Sequence, residues 1–541
     1  MNAKHFLLVS LPTQSHINPS LQLAKILTDH GAQVTLATTT SALRRLNNNT
    51  LPTIDGLFYT TFFDDEQISN ESKDVKTNVV ADAFSALKRL GPQKLSKLLQ
   101  NLSENGSPVS FIVYSLLLPW VAEVAREMHI PSAFLFIQSA ISFAIIHRFF
   151  NSYDGLHANN DNFGHDVSIK LPKLPLFTAH DIPSFLLPDN EYHSFMVPIY
   201  REHIQTLEKD PNSCVLVNTF DALEKDVMYS IPGIKFFPVG PLFSSSIFNK
   251  NELNIDKSFG GNMARCSTDN YLNWLDSKQD RSVIYVSFGS IIVLKESQKE
   301  EILQALRESK RPFLWVIRDI KDEEREKYCI SEEIGLIVPW CSQVEVLSHH
   351  ATGCFVSHCG WNSTLESIAS GVPVVGCPTF SEQNTNVKMI EELFGNGISV
   401  NKNEEGVFVK QEIKKCLNIV MGSEEKGNVI KENAMKLKSL AVEAAEEGGS
   451  SHKNLLSFFK MSVGDTHLSG FFMPNSSEGS DRTGSMSITF AHGDEKVAGG
   501  HVAGHVCMNI YGCYLEISTS KCYAHGTNSI RSSGTTGDEE S

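Results

Sequence analysis

The stretch WCSQVEVLSHHATGCFVSHCGWNSTLESIASGVPVVGCPTFSEQ, residues 340–383, decides the fold. Its run Cys354-Phe355-Val356-Ser357 is apolar and reads as a buried strand. A glycine-containing turn, His358-Cys359-Gly360, comes next, and a helix is expected to start near Asn362 or Ser363. A further strand is expected at 372–377. Strand, turn, helix, strand is the unit of a parallel sheet. The free amides and the dipole of the helix start favour a diphosphate there. His358 can donate to the same oxygens. Trp340 stands at a strand end, where its flat face can stack on a base. Ligands in open α/β sheets bind at such carboxyl ends. Ser363 and Glu366 also have a plainer reading, because Ser363-Thr364-Leu365-Glu366 fits a capping box.

The same alternation extends outward on both sides. Strands are expected at 282–287, 312–317 and 336–338, with a helix at 296–309. An earlier series starts with a strand at 6–11. Asn18 and Pro19 then open a helix as N-cap and first helical residue. Leu23, Ala24 and Leu27 form its buried face, Gly31 stops it, and a strand follows at 33–38. Between the two series, residues 244–265 are polar and contain Gly and Asn, which predicts a linker. Two α/β domains in tandem, 1–243 and 266–451, are therefore expected to face each other across a cleft. A helix at 452–462 and a tail at 463–541 complete the chain.

The chain has 541 residues, enough for about two to four domains by length. Hydrophobic residues are 41% and charged residues 20%, an ordinary globular balance that allows a sizeable core. The formal net charge of −15 and the lack of a long Lys/Arg run argue against nucleic acid or an anionic membrane as partner. Residues 1–12 are too short and too weakly basic for a signal peptide, and no apolar run reaches the ~18 residues that span a bilayer. A cytoplasmic monomer is expected. The 11 cysteines sit mostly in apolar runs and read as reduced, buried thiols. His349, His350, Cys354, His358 and Cys359 cluster in sequence but match no standard zinc spacing, so no metal site is expected.

With its motif residues in place and no gap, the 340–383 segment resembles the signature box of plant family 1 UDP-glycosyltransferases. The resemblance extends over about 4–460. It implies a GT-B fold, in which two Rossmann-like domains face a cleft, with donor bound by the C-terminal domain and acceptor by the N-terminal one. It also implies roles. Trp340 would stack on uracil, and Gln343 and Glu366 would hold the ribose. His358, Asn362 and Ser363, with Ser290 of the Ser287-Phe288-Gly289-Ser290 turn, would hold the diphosphate. Trp361, Glu382 and Gln383 would contact the sugar. Gln383 ends the box as in glucose-using relatives, so UDP-glucose is the expected donor substrate, with no cofactor and no metal.

In this family a His of the first loop deprotonates the acceptor, and His16 holds that position here. A helix N-terminus beside it disfavours imidazolium, which keeps the ring neutral and able to accept a proton. Three positions depart from the family pattern. Ser15 stands where Gly is common, Ser115 replaces an Asp that orients the His in many relatives, and Ile137 replaces a sugar-contacting Thr. The last two departures resemble a subgroup that includes anthocyanin 5-O-glucosyltransferases and crocetin or hormone-acid glucosyltransferases. The phrases at 114–120, 217–223 and 311–318 support that placement.

These features imply an inverting UDP-glucosyltransferase of secondary metabolism or plant-hormone conjugation. Its acceptor would be small and apolar, a carboxylic acid or a flavonoid or other phenolic hydroxyl. Ser115 and Ser15 keep a second reading open, a UDP-sugar-binding protein without turnover. Composition changes near Val463. Parts of 468–504 resemble a PPC domain of AT-hook nuclear proteins, so the tail is expected to be a weakly ordered partial fragment.

Overall fold

The computed structural model describes residues 4–48, 53–65, 79–151, 168–190, 192–243, 270–318, 328, 330–331 and 333–463. It also describes backbone strands within 467–523. The expected linker at 244–265 lies outside the described residues. The chain divides into two compact units, Met1–Phe458 and Phe459–Ser541.

The first unit holds two lobes. The N-terminal lobe runs β1 (His5–Val9), α1 (Gln14–Asp29), β2 (Gln33–Thr39), α2 (Thr40–Asn48), β3 (Leu57–Phe63), α3 (Val79–Glu104), β4 (Phe111–Ser115), α4 (Trp120–Glu127), β5 (Ser132–Phe136), α5 (Ala140–Asn151), β6 (Ser168–Lys170), β7 (Leu176–Thr178), α6 (His193–Lys209), β8 (Cys214–Val217), α7 (Asp221–Met228) and β9 (Lys235–Pro238). Its seven-stranded sheet has the order β3-β2-β1-β4-β5-β8-β9, and its pairs are parallel. The C-terminal lobe runs α8 (Asn270–Asp276), β10 (Val283–Ser287), α9 (Glu296–Ser309), β11 (Phe313–Val316), β12 (Gly335–Val338), α10 (Gln343–Ser348), β13 (Thr352–Ser357), α11 (Trp361–Ser370), β14 (Val374–Gly376), α12 (Gln383–Lys388), β15 (Gly397–Ser399), α13 (Lys410–Met421), α14 (Glu425–Ala445) and α15 (Ser450–Val463). Its six parallel strands have the order β12-β11-β10-β13-β14-β15.

Central strands such as β1, HFLLV, are buried along their whole length, as a parallel sheet covered by helices on both faces requires. The helices are amphipathic. In α9, Ile302, Leu303, Ala305 and Leu306 face the core, and Lys310 in the left-handed conformation ends the helix before Pro312. Two Rossmann-like lobes facing a cleft are thus what the strand–helix alternation builds. Each sheet reverses its strand order once. In the N-terminal lobe this happens between β1 and β4, and in the C-terminal lobe between β10 and β13. The carboxyl ends at such reversals are where open α/β sheets bind ligands.

Helix α15 lays its Phe458 among the rings of Phe6, Phe111 and Phe237 of the N-terminal lobe, at centroid distances of 6.4, 5.4 and 5.7 Å. Aromatic pairs of this kind are worth about 0.5–1.5 kcal/mol each beyond the area that they bury. Asn454 adds a hydrogen bond from Nδ2 to the carbonyl of Pro238, 3.1 Å.

The second unit is a set of antiparallel strands. β16 (His467–Pro474), β17 (Gly484–His492), β18 (Lys496–Gly504) and β21 (Cys522–Tyr523) form one sheet in that order, and β19 (Cys507–Tyr511) pairs with β20 (Tyr514–Ser518). Among the described residues no helix is long and apolar enough to cross a membrane.

Candidate active site

The two strand reversals meet across a cleft of about 290 Å³. On the N-terminal side, β1 and β4 are neighbours, so the residues that follow them converge. Helix α1 begins at Gln14, with Thr13 as N-cap, and not at Asn18 and Pro19 as their sequence suggests. The Thr13 carbonyl takes the amides of His16 and Ile17 at 3.0 and 2.9 Å. His16 therefore sits inside the first turn rather than before it. Its Nδ1 lies 3.1 Å from Ser115 Oγ at the end of β4, and both residues are buried. Burial pulls the His16 pKa down to about 3, so the ring is neutral near pH 7.

Pro19 has a consequence for the other lobe. It has no N–H, so the carbonyl four residues earlier, that of Ser15, is left without its helical donor. That carbonyl instead accepts Nδ2 of Asn362 from the C-terminal lobe at 3.0 Å.

On the C-terminal side, Ser287 of β10 lies beside Ser357 of β13, and the turns that follow them form one cradle. Its centre is His358. A Cβ at Gly289 would come within 2.7 Å of His358 Nε2, and one at Gly360 within 2.6 Å, so two glycines clamp the imidazole. Burial pulls the His358 pKa down to about 4. Cys359 is held at φ +62°, unusual for a residue with a side chain, and its carbonyl is fixed by Nδ2 of Asn386 at 2.9 Å. Ser290 lines the cleft, and its carbonyl and that of Ile292 both accept from the Arg318 guanidinium.

Helix α11 starts at Trp361 with Gly360 as N-cap, one to two residues before the expected position. The amides of Trp361, Asn362 and Ser363 therefore have no acceptor within the helix, the arrangement that suits an anion. The Ser363–Glu366 capping box does not form. Ser363 is not the cap residue, and its Oγ accepts from Nε2 of Gln343 at 2.8 Å. The same Gln343 amide donates to Glu366 Oε2 at 2.6 Å. Burial pushes the Glu366 pKa up to about 7, against the hydrogen bond from Gln343, which lowers it. Trp340 lines this end of the cleft, and its buried Nε1 has no hydrogen-bond partner among the described residues.

Trp361, Glu382 and Gln383 line the same cleft. Trp361 is buried at the lobe junction and donates from Nε1 to the carbonyl of Asn218 at 2.7 Å. Gln383 Oε1 accepts from the amides of Thr379 and Phe380, which turns its amide group into a fixed part of that loop. Glu382 accepts from Ser381 Oγ at 2.6 Å and from Nε2 of Gln138 at 2.8 Å, and Tyr200 donates to the Oε1 of Gln138 at 3.0 Å.

The structure thus brings every sequence-nominated residue to one cleft: His16, Ser290, Trp340, Gln343, His358, Trp361, Asn362, Ser363, Glu366, Glu382 and Gln383. Sequence reasoning missed Gln138, Tyr200, Asn218 and Ser184. Each joins the lobes or supports a residue that does. Ser184 and Ser381 exchange two hydrogen bonds of 2.8 Å between the lobes. The available signal was a polar residue just after a buried strand, as at Gln138 after β5 and Asn218 after β8. Of the clustered His and Cys residues, only His349 and His350 join an acid, Asp276, closely enough to suggest a metal among the described residues. None of these three lines the cleft.

The chain matches the family model "UDP-glucoronosyl and UDP-glucosyl transferase" over residues 259–445. It is 47% identical over 472 residues to phloretin 4'-O-glucosyltransferase of Malus domestica, covering 84% of this chain and 96% of that relative. The chain belongs to the plant family 1 UDP-glycosyltransferases. The enzyme is also 44% identical to the chloroplastic crocetin glucosyltransferase of Gardenia jasminoides, over 84% of this chain and 96% of the relative. The solved structure of Os79 from O. sativa in complex with UDP matches it with a TM-score of 0.71 at 31% identity, covering 84% of this chain and 99% of that one. The two-lobed fold is accordingly GT-B, and the protein is a UDP-sugar-dependent glycosyltransferase. This sets aside the reading of a binding protein without turnover. The comparisons give no support to a PPC-like tail.

Proposed function

We propose that the enzyme is an inverting glucosyltransferase that moves glucose from UDP-glucose to a carboxylic acid or a phenolic hydroxyl. The observation that carries this reading is the opposition of two sites across one cleft. A neutral, buried His16 faces a cradle of helix amides and a clamped His358. In this reading the acceptor oxygen attacks the anomeric carbon from the face opposite UDP, and His16 takes its proton where one must leave. The diphosphate is held at the start of α11 by His358, Asn362, Ser363 and Ser290, which offsets its developing charge. Trp340 stacks on uracil, Gln343 and Glu366 hold the ribose, and Trp361, Glu382 and Gln383 contact the sugar. The named relatives act on phloretin at a 4'-oxygen and on crocetin, which suits an apolar acceptor. The reading includes a monomer in the cytoplasm, and the buried free cysteines suit a reducing compartment.

Ser115 cannot stabilise an imidazolium as a carboxylate would, so acids, already ionised at neutral pH, should be turned over at least as well as phenols. A paired assay with aromatic acids and flavonoids checks both donor and acceptor. The expected result is preference for UDP-glucose over UDP-galactose, with products that mild alkali hydrolyses. Faster turnover with UDP-galactose, or exclusively alkali-stable products, contradicts it.

The ribose role of Glu366 has a proton signature. Its pKa in the fold, about 7, lies above the ordinary 4.5, so this group favours the folded state at low pH. That contribution is lost as pH rises through 7. Ribose hydroxyls donating to Glu366 favour its ionised form, so donor binding should expel a proton just below pH 7. Calorimetry of UDP-glucose binding without acceptor, in buffers of different ionisation enthalpy, should show proton release at pH 6.5. Glu366→Gln should abolish it. Equal release by the variant would place the proton elsewhere.

A further inference from the structure

Ser115 is buried at the end of β4, and the hydrogen bond that its Oγ makes is to His16 Nδ1, at 3.1 Å. A hydroxyl both donates and accepts, whereas an ionised carboxylate only accepts. With Ser115 accepting, Nδ1 carries the ring proton and Nε2 presents a lone pair. With Ser115 donating, Nδ1 presents the lone pair and Nε2 carries the proton. His16 lines the cleft, and its Nε2 has no hydrogen-bond partner among the described residues.

We propose that Ser115 lets His16 work in either tautomer, so that one site takes hydroxyl acceptors through the Nε2 lone pair and carboxylate acceptors through an Nε2–H donor. The proposal rests on the placement of the acceptor at His16 made above. Three further observations bear on it. Among the described residues that line the cleft there is no lysine or arginine, so the donors that these residues offer a carboxylate are neutral. Two of the donors in the cleft are already committed, with Gln138 given to Glu382 and Tyr200 given to Gln138. Burial holds the imidazole neutral well below physiological pH, so a donor at Nε2 comes from the tautomer and not from a charged ring.

The two reactions then balance differently. With a hydroxyl acceptor, the oxygen bonds to the anomeric carbon, the bond from that carbon to the diphosphate breaks, and UDP leaves with the electron pair. The hydroxyl proton moves to Nε2, and the resulting imidazolium donates from Nδ1 to Ser115. With a carboxylate acceptor, the same bonds form and break, no proton is transferred, and Nε2–H stays in place as the group that orients the incoming anion. Ser115 is a positioning residue in both.

Ser115→Asp removes the donor and leaves only an acceptor, which fixes the proton on Nδ1. The expected result is a change of opposite sign for the two classes. kcat/KM for a phenol should rise, and kcat/KM for benzoate or cinnamate should fall about tenfold or more, the loss of one hydrogen bond to an ionised group. Ser115→Thr keeps the hydroxyl and should keep both activities, and UDP binding reports that each variant is folded. Phenol turnover that rises in Ser115→Asp with acid turnover unchanged or higher would leave Ser115 acting through basicity alone and overturn the proposal. A wild-type enzyme that turns over neither class would instead overturn the acceptor reading on which it rests. Nitrogen-15 spectra of His16 in the UDP complex give an independent check. The ring proton should sit on Nδ1 with a phenol bound and on Nε2 with benzoate bound, and the same tautomer with both ligands would count against the proposal.

Discussion

His16→Ala is expected to lower kcat for a phenolic acceptor by about 10²–10⁴-fold, the usual contribution of a positioned general base. The ring is buried against Ser115 at 3.1 Å and belongs to the N-terminal lobe, while the residues nominated for UDP belong to the other lobe. UDP-glucose affinity should therefore hardly change, and the loss should fall on kcat. The pH profile should change in a specific way. Because burial keeps His16 neutral down to about pH 3, the wild-type enzyme should lose no activity to His16 protonation anywhere between pH 5 and 9. A carboxylate acceptor needs no proton removed, so the variant should retain much more of its activity toward acids than toward phenols. Steady-state kinetics with one acceptor of each class, and a separate titration of UDP-glucose, make the test. An equal loss of donor affinity would mean that His16 holds the structure and not the proton.

Gly360→Ala is expected to lower kcat/KM for UDP-glucose by about 10²-fold, the scale on which a misplaced group at the reacting centre is felt. The backbone at Gly360 is extended, φ −61° and ψ 147°, so alanine fits its conformation without strain. The cost comes from the side chain alone. The new Cβ would stand 2.6 Å from His358 Nε2, and Gly289 already packs closely against the same ring, so the imidazole has to leave its place. That argument predicts a strong coupling. In a His358→Ala background there is no ring to displace, and adding Gly360→Ala should cost little more. The thermal midpoint should shift only slightly, because the glycine makes no side-chain cap to α11. Losses that simply add in the double variant would show that Gly360 acts through the helix start and not through His358.

The sequence carried the periodic part of this protein. Apolar runs and turns place seven of the sheet strands to within two residues, and the expected helix at 296–309 has the bounds of α9, whereas β3, β5, β8, β9 and β15 are not among the strands they place. Buried parallel strands and amphipathic helices are written in local composition, so local reading finds them. The residues of the donor cradle were legible too, because they lie close together in 340–383 and form a dense, specific pattern.

What the sequence left undecided was settled by contacts between distant segments. Asn18-Pro19 has the form of a helix start, yet α1 begins at Gln14. The Ser15 carbonyl that Pro19 leaves open finds its donor 347 positions away in Asn362. Ser363-Thr364-Leu365-Glu366 has the form of a capping box, yet Gln343 takes both side chains, and the helix starts at Trp361, which is anchored on Asn218, 143 positions away. Gln138 was passed over because its partner Glu382 lies 244 positions on in the other lobe. Local pattern therefore determined the two lobes and the donor segment. The start of each functional helix and the closure of the cleft were decided only by the tertiary structure, because a buried polar group takes whichever partner the packed fold brings within hydrogen-bond reach.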